Sequence, residues 1–202
     1  MATTTNNGWT TPDDTALVKD GASAIRTLGS AIDTTLGVYA APGLVKLNTT
    51  TLSAVASQSI NNVFSTTYQN YRIILDATGS TTANITFRLR VGGVDTSSAT
   101  YTRQYIYASS TSLSSARSTT DTSWNIADIT SANRSFVIMD IANPFLSEKT
   151  GGLTSSMSNY PTTGTLTFNN YAQDSSTSFT SFTLIASSGT MTGNVSVYGY
   201  SK

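Results

Sequence analysis

The chain has 202 residues with 11 Lys plus Arg, 11 Asp plus Glu, no Cys and no His, and about a third of it is Ser or Thr. Without Cys and His it lacks disulfides, thiol nucleophiles, the usual general base and the commonest ligands of transition metals. A formal net charge of zero argues against nucleic-acid binding, which needs clustered cations. The composition favours a binding or structural protein that uses no cofactor and no metal ion.

The chain carries no apolar segment of membrane-spanning length. Its longest apolar runs, such as Phe136 to Met139, are the length of a strand, whereas a spanning helix needs about 20 apolar residues. Residues 1–9 lack the basic start and apolar core of a secretory signal. We therefore predict no membrane insertion, and any place outside a cell would have to be reached by another route such as lysis.

Residues 11–37 form the one stretch with helical periodicity. Thr11 can cap the helix, Pro12 suits its first position, and Asp13 and Asp14 complement the positive end of its dipole. Gly37 is placed to end it. The apolar residues that would line one stripe of this helix are Val18, Ile25, Leu28, Ile32 and Leu36.

That apolar stripe has two interpretations. It packs on its own domain, or it meets the same stripe of sister chains in a short coiled coil. The polar segment ahead of it, residues 1–10, contains a lone Trp9, which is either part of a frayed end or an anchor that fills a pocket on a partner. The residues leave both pairs of alternatives open.

Helical periodicity ends at the Pro/Gly hinge of residues 40–43, which predicts an N-terminal segment (1–40) and a head domain (41–202). Beyond it the apolar residues alternate with a period of two, which predicts a mainly β fold, an antiparallel two-sheet sandwich of jelly-roll kind. Residues 108–122 are either a mobile excursion or a polar strand. The predicted strands are 44–48, 52–60, 70–77, 84–91, 100–108, 122–128, 134–142, 164–171, 178–186 and 193–200.

The residues do not assemble a reacting centre. The Asp residues are scattered near turns, and the Ser residues lie in no Gly-x-Ser-x-Gly elbow and have no His to activate them. Asp140 is the exception, because its place in an alternating apolar run predicts an inward-facing carboxylate that needs a partner such as Arg. We predict that the protein is not an enzyme.

The clearest candidate site is an aromatic and cationic face on neighbouring strands. Alternation places Tyr101, Arg103, Tyr105 and Tyr107 on one side of a strand, and Arg88 and Arg90 on one side of the strand before it. A hairpin through residues 92–99 would bring the two sets together. They would then form a platform that stacks on sugar rings or anchors a protein interface, or else serve in subunit packing or line a core. For Trp124 the expectation is burial in the sandwich.

Seven short motifs along the chain resemble segments of known proteins. The N-terminal motifs are GWTTPDD at 8–14, VKDGASAIR at 18–26 and LGSAIDT at 28–34, and they resemble the attachment segments of tailed-bacteriophage tail and fibre proteins. The later motifs are PGLV at 42–45, FSTTYQNYRI at 64–73, NPFL at 143–146 and SGTMTGNVSVYGY at 188–200. These are similar to phage structural proteins with a β-sandwich head.

The resemblance implies a virion protein of the tail rather than the head. It implies a homotrimer whose helices form a stem, attachment to other virion proteins through the N-terminal segment and Trp9, and a sandwich that contacts a host surface glycan. It supplies no catalytic residues. A capsid decoration or head-fibre protein without a receptor role remains the alternative, with a polysaccharide-degrading enzyme as the third.

Overall fold

The computed structural model describes residues 2–5, 7–12, 17–39, 43–158 and 164–201. The chain divides into two compact units, residues 1–43 and 44–202, called here the N-terminal unit and the β unit. The predicted roles of Asp13, Asp14 and the hinge at 40–42 fall on residues outside the described ones. Within the described ranges, no helix has the length and hydropathy needed to cross a membrane.

The N-terminal unit is a short hairpin followed by a helix. Strand β1 (Ala2–Thr3) pairs antiparallel with β2 (Thr10–Thr11), and a 3-10 turn at Val18–Asp20 leads into helix α1 (Gly21–Tyr39). The predicted helix start at Thr11 is therefore wrong, because that residue is paired in a strand. The predicted end at Gly37 is wrong as well, since α1 continues to Tyr39.

Helix α1 is covered by the hairpin on one side only. It packs against β2, and the Trp9 indole N–H donates a hydrogen bond of 2.9 Å to Thr35 Oγ1. Of the five predicted stripe residues, Leu28 and Ile32 are half-buried. The other three are exposed to 97% (Val18), 66% (Ile25) and 59% (Leu36). Part of the stripe thus packs on its own unit, and part has no partner among the described residues.

The β unit confirms the predicted mainly β fold of antiparallel sheets in a sandwich. Its strands are β3 (Leu44–Val55), β4 (Ser57–Ile60), β5 (Asn70–Gly79), β6 (Ala83–Val91), β7 (Val94–Asp95), β8 (Tyr101–Ser109), β9 (Ser112–Asp121), β10 (Trp124–Ile129), β11 (Ser135–Ala142), β12 (Thr150–Ser158), β13 (Thr165–Gln173), β14 (Ser181–Ala186) and β15 (Met191–Tyr200).

Eight of these strands have the connectivity of a jelly roll. One sheet contains the order β3-β15-β5-β11, and the other has the order β4-β14-β6-β10. The chain crosses between the sheets from β3 to β4, from β5 to β6, from β10 to β11 and from β14 to β15, as two interleaved Greek keys require. The remaining strands are insertions into this pattern.

The insertions enlarge only one of the two sheets. Strands β8 and β9, which come between β6 and β10, and strands β12 and β13, which come between β11 and β14, extend the first sheet in the order β11-β12-β13-β8-β9. The first sheet therefore has eight strands, whereas the second has five. The second sheet ends at β10, so no described strand of that sheet covers the inner face of the larger sheet beyond this point.

Two inserted strands were not predicted in full. The structure settles residues 108–122 as the polar-strand alternative, because β9 pairs with β8 along most of its length. Strand β12 was missed because Gly151, Gly152 and five Ser or Thr residues obscure its alternation. Its inward residues, Thr154 and Ser156, are polar but buried, so hydrophobicity alone carries no signal for this strand.

The core of the sandwich is a chain of aromatic rings. Phe87 stacks between Phe182 at 4.6 Å and Trp124 at 5.7 Å, and Trp124 contacts Tyr101 at 5.4 Å and Tyr171 at 5.1 Å between centroids. All five side chains are 2% exposed or less. The expectation that Trp124 is buried is confirmed, and its ring joins the two sheets just below the uncovered inner face.

Candidate functional site

A groove of about 400 Å³ lies where the inner face of the larger sheet extends past β10. Its floor comes from the inserted strands β8 and β13, and its wall from β10 and the start of β6. The lining residues are Asn84, Arg103, Tyr105, Tyr107, Ser109, Asn125, Ile126, Ala127, Asp128, Thr165, Thr167 and Asn169. We call this cavity the groove. Pockets built by insertions on a rigid scaffold are common binding sites.

Three residues of β8 form a continuous run along the groove. The guanidinium Cζ of Arg103 lies 5.0 Å from the centroid of the Tyr105 ring, a cation–π distance. The rings of Tyr105 and Tyr107 lie 6.0 Å apart with an angle of 34° between their planes. All three side chains are half-buried, so each presents part of its surface to the groove.

Arg103 is held in place by an ion pair. Its Nε lies 3.1 Å from Asp121 Oδ2 at the end of β9, yet neither atom makes a hydrogen bond with any described residue. Asp121 also lines a smaller recess of about 220 Å³, which shares Asn84, Arg103 and Asn125 with the groove. The two recesses therefore meet at these three polar side chains.

Amides and one carboxylate form the polar wall. Asn84 and Asp128 are paired across β6 and β10, and Asn125 lies three residues before Asp128 on the same strand. Burial raises the pKa of Asp128 above its ordinary value. Among the residues that the structure describes, no donor pairs with the Asp128 carboxylate, so it is an acceptor available to a ligand.

A buried hydrogen-bond network supports the groove from below. The Asn169 side-chain amide donates to Thr154 Oγ1 at 2.9 Å, and Thr154 lies 3.1 Å from the Tyr171 hydroxyl. Tyr171 donates to the backbone carbonyl of Asn125 at 2.6 Å. A tyrosine hydroxyl, with an ordinary pKa of about 10, is a proton donor at neutral pH, and burial raises the pKa of Tyr171 further. The network thereby ties the floor to the wall.

The sequence prediction located only part of this site. Arg103, Tyr105 and Tyr107 do share one face, and that face lines the groove. Tyr101, assigned to the same platform, is 0% exposed and lies in the core. Its hydroxyl accepts a hydrogen bond from the Leu89 N–H and donates one to the Thr96 carbonyl, and burial raises its pKa to about 12.

The predicted juxtaposition of Arg88 and Arg90 with the tyrosine face is wrong. The turn at Gly92 and Gly93 forms, but it leads to β7, which pairs back onto β6. Strand β8 then crosses to the other sheet. Arg90 Nε lies 3.0 Å from Asp95, and Arg88 donates to the carbonyl of Thr122 at 3.2 Å.

The sequence analysis missed the remaining groove residues for an identifiable reason. Alternation in β13 does place Thr165, Thr167 and Asn169 on one face, but such a polar face is also typical of a solvated strand. Asn84, Asn125 and Asp128 come from strands of the other sheet. Only the pairing of distant strands brings those residues to the groove.

Asp140 lies on the outer face of the larger sheet. Its predicted Arg partner is present, since Arg72 Nε and Nη2 donate to its two carboxylate oxygens at 2.8 and 2.7 Å. The predicted inward orientation is wrong, because β11 directs Asp140 away from the core and toward the Tyr200 hydroxyl, which donates at 2.7 Å. The Arg72 hydrogen bonds hold the pKa of Asp140 below its ordinary value.

This ion pair predicts a pH-dependent loss of stability in an Arg72→Met variant. Because the folded state lowers the pKa of Asp140, the pair stabilises the fold above the unfolded pKa of about 4 and loses that effect as the pH falls through the lowered value. With both side chains about one-third exposed, the loss at pH 7 should be at most about 1 kcal/mol.

Urea unfolding of the wild type and of Arg72→Met between pH 7 and pH 2 measures this difference. The difference in free energy of unfolding between the wild type and Arg72→Met should become smaller as the pH falls. Arg134→Met serves as the matched control, because it removes the more exposed pair with Asp76 and should cost less at every pH. A gap that stays constant down to pH 2 would contradict the assignment.

No group of three or more Asp, Glu, His or Cys side chains that could hold a metal ion occurs in the part of the chain that the structure describes. No protein-family model, curated protein or solved structure matches the chain. The groove and the sequence motifs are therefore the basis for a functional assignment.

Proposed function

We propose that the protein is a homotrimeric bacteriophage virion protein of the tail, attached through its N-terminal unit, whose groove binds a host surface glycan without cleaving it. The observation that carries the proposal is the run Arg103, Tyr105 and Tyr107 along a groove with an amide-rich wall. This run lies on strands inserted into an otherwise complete jelly roll, which is where binding residues are expected on a rigid scaffold.

The chemistry of the groove suits a polyhydroxylated ligand. A sugar ring has an apolar face that packs on tyrosine rings and a rim of hydroxyls that donate and accept hydrogen bonds. Asn84, Asn125 and Asn169 carry side chains that do both, and Asp128 accepts only. Neighbouring tyrosine rings 6.0 Å apart provide two adjacent stacking surfaces along one chain of sugars.

The charges of the groove favour binding over hydrolysis. Glycoside cleavage commonly uses two carboxyl groups with different protonation states. Among the described residues that line the groove, one carries a carboxylate, Asp128, and the nearby Asp121 is neutralised by Arg103. A raised pKa at Asp128 is also what a general acid would need, so the experiment below includes a test for cleavage.

The virion assignment is supported by the N-terminal motifs that resemble phage attachment segments. The exposed stripe of Val18, Ile25 and Leu36 would supply the trimer stem. Trp9 already bonds to Thr35 within its own unit, so attachment would use the hairpin and helix together rather than the indole alone. A rigid trimer would present three grooves and gain avidity from weak single sites.

We expect Tyr105→Ala and Tyr107→Ala each to weaken glycan binding about 5- to 30-fold, since a stacked aromatic contact contributes about 1 to 2 kcal/mol. Glycan-array binding followed by calorimetry with the selected glycan measures the loss. Tyr198→Ala is the matched control, because Tyr198 is equally half-buried but lies outside the groove. Unchanged thermal melting would show that the groove variants remain folded, and unchanged binding would refute the assignment.

Two further measurements separate the alternatives. Labelled protein that stains purified capsids but not susceptible cells would favour a decoration protein over a receptor-binding one. Release of new reducing ends from the bound glycan, abolished in an Asp128→Asn variant, would establish cleavage and overturn the proposal of binding alone.

A further inference from the structure

The outer face of the larger sheet carries an unusual concentration of exposed apolar side chains. Seven large apolar residues on five adjacent strands are each between 39% and 76% exposed. They are Ile106, Leu113, Phe136, Leu153, Met157, Leu166 and Phe168. We call this surface the outer apolar face.

The strand register makes this face continuous. One row across the sheet runs Phe136, Met157, Leu166, Ala108 and Leu113, each paired with the next on β11, β12, β13, β8 and β9. The next row pairs Ile138 with Ser155, then Phe168, then Ile106. Side chains paired across adjacent strands are in contact, so the apolar residues form one surface rather than scattered exposures.

The size of the face matches an interface. At about 150 to 200 Å² for a large side chain, the exposed fractions correspond to roughly 600 Å² of apolar surface. That equals the upper end of the largest patch on a typical monomer, about 300 to 600 Å². It is also most of the roughly 800 Å² that each partner contributes to a standard protein interface.

The two carboxylates at the β11 border of the face are paired within the chain, whereas the exposed Arg117 on β9, opposite Gln104, has no ion pair with a described residue. Asp140 is paired with Arg72, and Asp76 is paired with Arg134 at 2.7 Å. Arg117 is then the one exposed charge among these residues without a partner, which is little for an oppositely charged foreign protein to recognise. Two identical copies can meet with little opposition of like charges, and the chain as a whole has a net charge of zero.

We propose that a second copy of this chain packs on the outer apolar face. The N-terminal unit independently leaves Val18 and Ile25 exposed, so one process, association of identical chains, covers both apolar surfaces. The inference goes beyond glycan binding, because alternation directs Arg103, Tyr105 and Tyr107 inward and Gln104, Ile106 and Ala108 outward on the same strand. Copies can therefore associate while each groove stays open.

Sedimentation velocity over a range of concentrations tests the proposal on the full chain. Phe168→Asp and Leu153→Asp should each raise the dissociation constant of the assembly at least tenfold. Val94→Asp is the matched control, since Val94 is 68% exposed but lies on β7 in the other sheet. Circular dichroism melting checks that each variant is folded. Association of both variants at the wild-type affinity would refute the proposal, as would a wild-type chain that is monomeric throughout.

The absence of Cys allows a second measurement that needs no destabilising charge. Single-cysteine variants Met157→Cys and Val94→Cys are labelled with a maleimide at high and low protein concentration. Protection of Cys at position 157, but not at position 94, only at high concentration would support the interface. Equal labelling at both positions would refute it.

The stem can be distinguished from the sheet face in the same assay. If Val18→Asp combined with Ile25→Asp abolishes all association while Phe168→Asp has no effect, the helix alone assembles the chain and the outer-face proposal is wrong. If the helix variant and the sheet variant each weaken association, and their effects on the free energy of association add, both surfaces take part in the assembly. Glycan binding by Phe168→Asp then reports on the groove separately, because that residue lies on the opposite side of the sheet.

Discussion

Replacement of Trp124 with alanine should lower the free energy of unfolding of the β unit by about 3 to 5 kcal/mol, the usual cost of removing a fully buried Trp side chain. Trp124 is 0% exposed, contacts Phe87, Tyr101 and Tyr171, and donates from Nε1 to the Ala172 carbonyl at 3.2 Å. Its loss leaves a cavity between the sheets and removes one of the hydrogen bonds of the Ala172 carbonyl, which also accepts from Thr102 Oγ1. Domains have only about 5 to 15 kcal/mol of stability in total, so the effect is large.

Chemical denaturation followed by circular dichroism measures this loss without depending on Trp fluorescence. Trp9→Ala is the natural control, because Trp9 belongs to the N-terminal unit and should leave the unfolding of the β unit unchanged. Glycan binding in the groove should also weaken in Trp124→Ala, since Tyr171, which packs on Trp124, anchors the Asn125 carbonyl of the groove wall. A variant with wild-type stability would contradict the central role assigned to this ring.

Gly193→Ala is expected to prevent normal folding of the β unit or to destabilise it by more than about 4 kcal/mol. Gly193 has φ +153° and lies at a register irregularity in β15. A Cβ atom there would come within 2.0 Å of the Asp76 carbonyl oxygen and 2.7 Å of the Ala77 Cα. Both atoms belong to the backbone of β5, which pairs on both edges and cannot shift without losing hydrogen bonds.

Gly93→Ala separates the clash from the cost of the dihedral angle. Gly93 also has a positive φ, +79°, but a Cβ there meets nothing within 4 Å, so the expected cost is only about 1 to 2 kcal/mol. Urea unfolding of both variants, with soluble yield as a second readout, makes the comparison. If Gly193→Ala costs no more than Gly93→Ala, the close approach of β15 to β5 plays no energetic role.

Local sequence patterns were informative wherever a single strand determines the outcome. Alternation in β8 placed Arg103, Tyr105 and Tyr107 on one face, and the structure keeps them there. The same reasoning put Tyr101 on that face correctly but could not tell that β8 begins under Trp124, where an inward side chain is buried. The difference between core and groove along one strand depends on how far the opposite sheet extends.

Patterns failed where a strand lacks hydrophobic contrast. Strand β12 carries Gly151 and Gly152 and buries the hydroxyl side chains of Thr154 and Ser156, so its inner face resembles a polar loop. Buried hydroxyls are stable only when they find hydrogen-bond partners. The partners of Thr154 are Asn169 and Tyr171 on a neighbouring strand, and only the folded sheet reveals them.

The sequence by itself determined the mainly β class, the single N-terminal helix, the absence of thiol and imidazole chemistry, and the set of side chains that share a face of β8. These are local properties, because composition and a period of two need no knowledge of distant residues. Tertiary structure decided that the turn after β6 leads to β7, which pairs back onto β6, that β8 crosses to the other sheet, and that the smaller sheet ends at β10. These features depend on pairing between residues that are far apart in sequence. Because of that pairing, the inner face of the inserted strands lines the groove and their outer face forms the exposed apolar surface.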